Sequence, residues 1–213
     1  MKRRPHGGYP LYPASNHYDP IRRRFFNPEP KRRLQPLDFG GAFKMLSRKG
    51  RFPAQPLPFA KPDFAAFMRQ EGLPENEQRE FRQNEQREFL HSKNEQKARF
   101  VWFGHSTLLM RVAGLNILTD PVFGMSAAPN NKMFRRFQPP PAAPHELPPL
   151  DIILYSHNHY DHLEESFVRS VADSGVHFLV PLGMEVLLRR WGVKAENISA
   201  ADWYQSHTVG GVT

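Results

Sequence analysis

Apolar positions in the second half of the chain fall into short runs with the spacing of strands and helices. Arg99–Phe103 and Thr107–Val112 read as strands, Ala113-Gly114 as a turn, and Leu115–Thr119 as a further strand that stops at Asp120-Pro121. A loop rich in Pro and Asn runs from Pro129 to Pro149. Asp151–Tyr155, with its Ile-Ile-Leu centre, reads as a buried strand. Glu164–Ser174 predicts a helix ended by Gly175, Val176–Val180 a strand, Gly183–Trp191 a helix ended by Gly192, and a last strand is expected near Trp203. Strand and helix alternate from Leu150 onward, which predicts an α/β layered fold. Ligands in such folds gather at the carboxyl ends of strands.

Upstream the pattern changes twice. Residues 63–98 read as a helical linker that holds a short repeat: Asn76-Glu77-Gln78-Arg79-Glu80-Phe81 recurs at Asn84-Glu85-Gln86-Arg87-Glu88-Phe89, with a partial copy at Asn94-Glu95-Gln96-Lys97. Offsets of 8 and 10 residues sustain no heptad, and the units are too short for a solenoid, so the repeat reads as a local duplication without chemistry of its own. Residues 1–62 contain 11 of the 21 prolines, a density that blocks long helices and strands. This segment reads as an extended arm, partly wrapped on the body and partly flexible.

Charge sharpens that division. Residues 1–51 hold 13 Lys/Arg against 3 Asp/Glu, whereas the remainder holds 16 against 18. The net charge of +8 therefore belongs to the arm. Two readings follow: a solvated basic tail, or an arm that touches an anionic surface, either lipid headgroups or nucleic acid. Met1-Lys2-Arg3-Arg4 has the charge of a signal-peptide start, but Pro5-His6-Gly7-Gly8 follows in place of an apolar stretch. No apolar run approaches the ~20 residues needed to span a bilayer. The chain has no cysteine, so disulfides are excluded and any metal must be held by nitrogen and oxygen. A cytoplasmic setting with contact to an anionic membrane is the expectation.

The chemistry concentrates in Ser156-His157-Asn158-His159-Tyr160-Asp161-His162, directly after the Ile-Ile-Leu strand. Three His and one Asp within six residues at a strand end point to metal ligation over incidental surface groups. If the chain leaves the strand nearly extended, residues two apart point the same way, and His157, His159 and Asp161 converge while His162 faces a second point. Imidazole and carboxylate suit zinc, and also iron or manganese. In this scheme His157 and His159 bind one metal, and Asp161 with His162 binds the other.

The pattern His157-x-His159-x-Asp161-His162 resembles the signature of the metallo-β-lactamase superfamily. Trp102-Phe103-Gly104-His105-Ser106-Thr107, Leu118-Thr119-Asp120-Pro121-Val122-Phe123, Val180-Pro181-Leu182-Gly183 and Asp202-Trp203 narrow the resemblance to the branch of N-acylphosphatidylethanolamine-hydrolysing phospholipases D. It covers residues 99–213. The resemblance implies a four-layer αββα fold and a zinc pair that hydrolyses a phosphodiester into an N-acylethanolamine and phosphatidic acid. It implies His157, His159, Asp161 and His162 as ligands, with Asp161 also orienting the attacking hydroxide. His105 and Asp120 match loops beside the metals and are expected to support the ligands. Lactones, cyclic phosphodiesters and nucleic acid are alternative substrates on the same fold. The superfamily fold has two similar halves, and these motifs match the first. The expectation is therefore a truncated frame or fragment with weak or no activity, an exposed sheet edge and an uncovered apolar face. His177 is expected to serve a packing or surface role, His207 lies near the region of a further family ligand without a family motif around it, and neither is read as a ligand.

Overall fold

A computed structural model describes residues 12, 15–19, 21, 24–25, 55, 58, 60–69, 98–126 and 135–213. The repeat between Asn76 and Lys97 lies outside the described residues, as do most of the arm's basic clusters. Within residues 63–98 the described helix is α1, Phe64–Met68. Asp63 caps it by accepting from the Ala66 N–H at 2.9 Å. At its other end the Arg99 guanidinium donates to the carbonyls of Ala66 and Phe67 at 3.0 and 3.1 Å, supplying partners for orphan helix-end acceptors.

The body is one six-stranded mixed sheet. Its strands are β3 Arg99–Gly104, β4 Thr107–Val112, β5 Leu115–Thr119, β6 Ile152–Leu154, β7 His177–Pro181 and β8 Ile198–Ala201, hydrogen-bonded in sequence order. The β3–β4 and β4–β5 pairs are antiparallel, and β5 through β8 run parallel. A two-residue turn joins β4 to β5, with Ala113 and Gly114 at φ 49° and 84°, the geometry that matches strand twist in a hairpin.

Helices α2, Glu165–Val171, and α3, Glu185–Arg190, make the crossovers from β6 to β7 and from β7 to β8. The strand order always advances in the same direction, so right-handed crossovers place both helices on one face. That face holds the core. Leu109, Leu118, Ile153 and Phe178 lie there fully buried beneath Phe167 and Val168 of α2 and Leu188 of α3. The fold class is α/β as expected, and the described residues supply one helical layer and one sheet layer. The opposite face carries Phe100 and Trp102 of β3, which are 71% and 64% exposed.

The sequence expectations hold for the first five strands of the six-stranded sheet and need adjustment elsewhere. The helices are shorter than expected: α2 stops at Val171, three residues before Ser174, and α3 starts at Glu185, two residues after Gly183. The last strand lies at Ile198–Ala201, upstream of Trp203. Part of the Pro-rich segment packs on the body. A short β1–β2 hairpin (Tyr18–Asp19 and Arg24–Phe25) brings Tyr12, Tyr18 and Phe25 into mutual ring contact. The Tyr12 hydroxyl donates to Glu185, and His17 sits 3.3 Å from Asp202. No described helix is long and apolar enough to cross a membrane.

Candidate metal centre

The parallel register sets β5 beside β6, so Asp120 leaves one strand end next to Ser156 at the other. Asp120 takes a left-handed backbone, φ 39°, a conformation Asp tolerates better than most residues. Its own N–H donates to the Leu154 carbonyl at 2.9 Å, and its carbonyl accepts from the Thr107 hydroxyl at 2.9 Å. The Asp120 carboxylate is almost fully buried and accepts three bonds: Ser156 N–H at 2.7 Å, Ser156 Oγ–H at 2.6 Å and His162 Nδ1–H at 2.9 Å.

These bonds fix protons on the neighbouring rings. A carboxylate only accepts, so His162 carries its proton on Nδ1 and presents the Nε2 lone pair outward. The single Ser156 hydroxyl proton goes to Asp120. The 2.9 Å contact between Ser156 Oγ and His157 Nδ1 must then be donated by the ring. His157 too is left with a free Nε2 lone pair. Carboxylate–histidine couples of this kind orient metal ligands and raise their basicity.

The motif does not leave β6 extended. The N–H groups of His162 and Leu163 both turn back to the His159 carbonyl, at 3.0 and 2.8 Å, and buried Leu163 anchors the turn in the core. The turn replaces simple alternation as the device that gathers the side chains. His157 lies against His159 and His162, with ring centroids 4.6 and 4.0 Å away. Desolvation, and after it the neighbouring His162 and His159, hold the His157 imidazole below the ordinary histidine range, which favours the neutral ligating form.

Asp161 falls on the other side of His162, together with His105. His105 Nε2 is 3.1 Å from Asp161 Oδ2 and 3.2 Å from His162 Nε2, and the Asp161–His162 distance is 3.8 Å. Their ligating atoms all lie within 4.8 Å of one another. Nitrogen and oxygen donors at this spacing, in a chain without thiols, fit a divalent cation of the zinc, iron or manganese class. His177 instead pairs with Ser199 at 2.9 Å, and neither it nor His207 joins a ligand cluster among the described residues.

Two supporting residues escaped the sequence reading. Glu164 accepts from the N–H groups of Phe123 and Gly124 at 2.6 and 2.9 Å, holding the loop after Asp120. Arg136 donates to the carbonyls of Phe103 and Gly124 at 3.0 and 3.1 Å and also to Val122, tying that loop to the β3–β4 turn. Gly104 has φ 96°, a backbone that L side chains rarely adopt, and a Cβ there would stand 2.9 Å from Arg136 Nη1. Beneath the centre, Phe103 meets Phe123 edge-on and Phe123 stacks on Phe167, with centroids 5.4 and 5.2 Å apart. Glu164 had a sequence cue, its place just before a helix, but Arg136 sits in a loop with no local signature.

Residues 115–213 match the beta-lactamase superfamily domain. An uncharacterized protein of Mycobacterium tuberculosis is 42% identical over 114 residues, covering 53% of this chain and 31% of that protein. The N-acyl-phosphatidylethanolamine-hydrolyzing phospholipase D 1 of Caenorhabditis elegans is 32% identical over 111 residues, 49% of this chain and 31% of that protein. The mitochondrial N-acyl-phosphatidylethanolamine-hydrolyzing phospholipase D of Saccharomyces cerevisiae is 33% identical over 106 residues, 49% of this chain and 22% of that protein. The chain thus spans less than a third of the length of these relatives. Residues 115–213 are similar to the beta-lactamase superfamily domain, which is consistent with the metallo-β-lactamase resemblance of the motifs.

Proposed function

We propose that this chain serves a zinc-dependent hydrolase that cleaves the phosphodiester of an N-acylphosphatidylethanolamine-type phospholipid. The observation that carries the reading is the side-chain cluster after β6: the His157 ring lies 4.6 and 4.0 Å from those of His159 and His162, Asp161 lies 3.8 Å from His162, and Asp120 locks His162 from behind. The names of the worm and yeast relatives support the substrate class.

A metal pair held there supplies Lewis acidity toward the phosphoryl group and the attacking water. The chain's own residues do the rest. His157 and His159 would hold one metal, and Asp161 and His162 the other. Asp161 is partly exposed and would orient the attacking hydroxide. Asp120 and Ser156 keep the Nε2 atoms of His162 and His157 aimed at the site.

Two features support a lipid substrate. Trp102 and Tyr160 stand exposed beside the ligand turns, and aromatic rings with a polar edge favour the membrane–water interface. The basic arm would add attraction to anionic headgroups. The test is product analysis. The chain is loaded with zinc, manganese or iron and offered vesicles containing N-acylphosphatidylethanolamine, a lactone or a short single-stranded DNA. Release of phosphatidic acid and N-acylethanolamine is the expected result. Turnover of the lactone or the DNA, with none of the lipid, would reassign the substrate.

A further inference from the structure

We propose that His105 is itself a metal ligand and completes a three-ligand site with Asp161 and His162. The inference rests on the metal-centre reading above and deepens it. It changes the expected role of His105 from support to direct ligation, and it makes the two metal positions unequal.

The geometry comes first. A tetrahedral ion with bonds of about 2.0–2.1 Å holds neighbouring ligand atoms about 3.3 Å apart. The three edges of the His105–Asp161–His162 triangle, 3.2, 3.1 and 3.8 Å, bracket that length. Protonation comes second. The Nε2 of His162 presents a lone pair, because Asp120 holds the Nδ1 proton. The Nε2 of His105 faces this lone pair and the Asp161 carboxylate together. A cation shared by all three satisfies every one of these acceptors, whereas a single N–H on His105 satisfies only one well.

Backbone placement is the third argument. The β3–β4 turn puts Gly104 and His105 at φ 96° and 50°, both left-handed. A side chain is disfavoured there, yet His occupies it. The turn is fastened on both sides: Trp102 Nε1–H donates to the His105 carbonyl at 3.0 Å, and Arg136 donates to the Phe103 carbonyl at 3.0 Å. That fastening directs the imidazole at Asp161 and His162. Among the described residues, one position then has three side chains, while His157 and His159 offer two to the other, so in this chain the His105 position should fill first.

Co2+ titration of the full chain, followed by visible absorption, tests this. The wild type should take up a tighter first equivalent and a weaker second. His105→Asn keeps a residue that tolerates left-handed backbone but removes the imidazole; it should weaken the first equivalent about 10–100-fold and reduce its visible band. His157→Asn should leave that first equivalent within about threefold, and His177→Asn serves as a histidine control. Far-UV circular dichroism and the melting point of the metal-free variants report whether each folds. A folded H105N chain with wild-type affinity for its first Co2+ overturns the His105 assignment alone. A folded wild type that binds no Co2+ overturns the metal-centre reading and this inference with it.

Discussion

Asp120 and Asp161 flank the same imidazole, one at Nδ1 of His162 and the other toward Nε2. Asp120 has 8% of its side chain exposed and accepts three hydrogen bonds within 2.9 Å. Asp161 has 43% exposed, and its neighbours at 3.1 and 3.8 Å are themselves candidate ligands. Burial with complete satisfaction makes a carboxylate a structural cross-link, while exposure with loose partners leaves it free to bind. The contrast shows how one short motif is divided between holding the fold and doing chemistry.

The sharpest way to break the comparison is Asp120→Ala. It leaves two donors of Ser156 and Nδ1 of His162 unpaired at a buried site. The expected loss is about 3–5 kcal/mol, read as a lowered urea midpoint at unchanged slope. A loss under about 1 kcal/mol would mean that the buried carboxylate is not a cross-link.

Asp161→Asn should behave in the opposite way. Folding stability stays within about 0.5 kcal/mol, as for most surface changes. Metal affinity should fall by about 10–100-fold or more, the loss seen when even a ligand's supporting partner is removed. Equal effects of the two substitutions on stability would erase the distinction between the carboxylates.

Much of this division was legible in the sequence, and the reasons are local. The strands from Arg99 to Thr119 announce themselves by apolar runs and by the Ala113-Gly114 turn. The Ile-Ile-Leu strand and the helix-stopping glycines mark the α/β alternation, because each signal lies within a few residues of its effect. Ile198–Ala201 was harder to place, since Ser199 and two alanines carry little strand character and only pairing with β7 makes them one. The ligand residues were legible as a cluster but not as a geometry. The turn back to the His159 carbonyl, the left-handed His105 and the Arg136 tie all depend on partners 3 to 33 residues away. Spacing alone carries no record of such contacts.

Tyr155 sharpens the comparison with a smaller effect. It immediately precedes the motif and is 2% exposed, and its hydroxyl has no hydrogen-bond partner among the described residues. Burial, then the nearby Asp120 and Glu164 carboxylates, push its pKa well above the ordinary tyrosine range, so it stays a neutral phenol. It is the unsatisfied counterpart of Asp120. Tyr155→Phe should therefore raise stability by about 1 kcal/mol, the reverse of the Asp120 result. Destabilisation of that size would show that an ordered water satisfies the hydroxyl.

The smallest effect concerns a histidine placed away from both carboxylates. His162 has a carboxylate toward each ring nitrogen, whereas His177 has the Ser199 hydroxyl and, in its field, His207. Desolvation, and after it His207, lower the His177 pKa from the ordinary 6.5. The sign follows from proton counting. Below 6.5 the unfolded chain takes up a proton at His177 more readily than the folded chain does. Stability is thus full above that value and is lost as the pH falls through the lowered folded value. His177→Gln keeps a group able to bond Ser199 but cannot titrate. Urea midpoints of the metal-free protein, measured from pH 7.5 down to pH 5 (about the span over which a neutral histidine gains its charge), should fall less steeply for the variant. The difference should show as a change of slope with no offset at the alkaline end. An unchanged slope would show that the lowered His177 pKa contributes nothing to the acid sensitivity of folding.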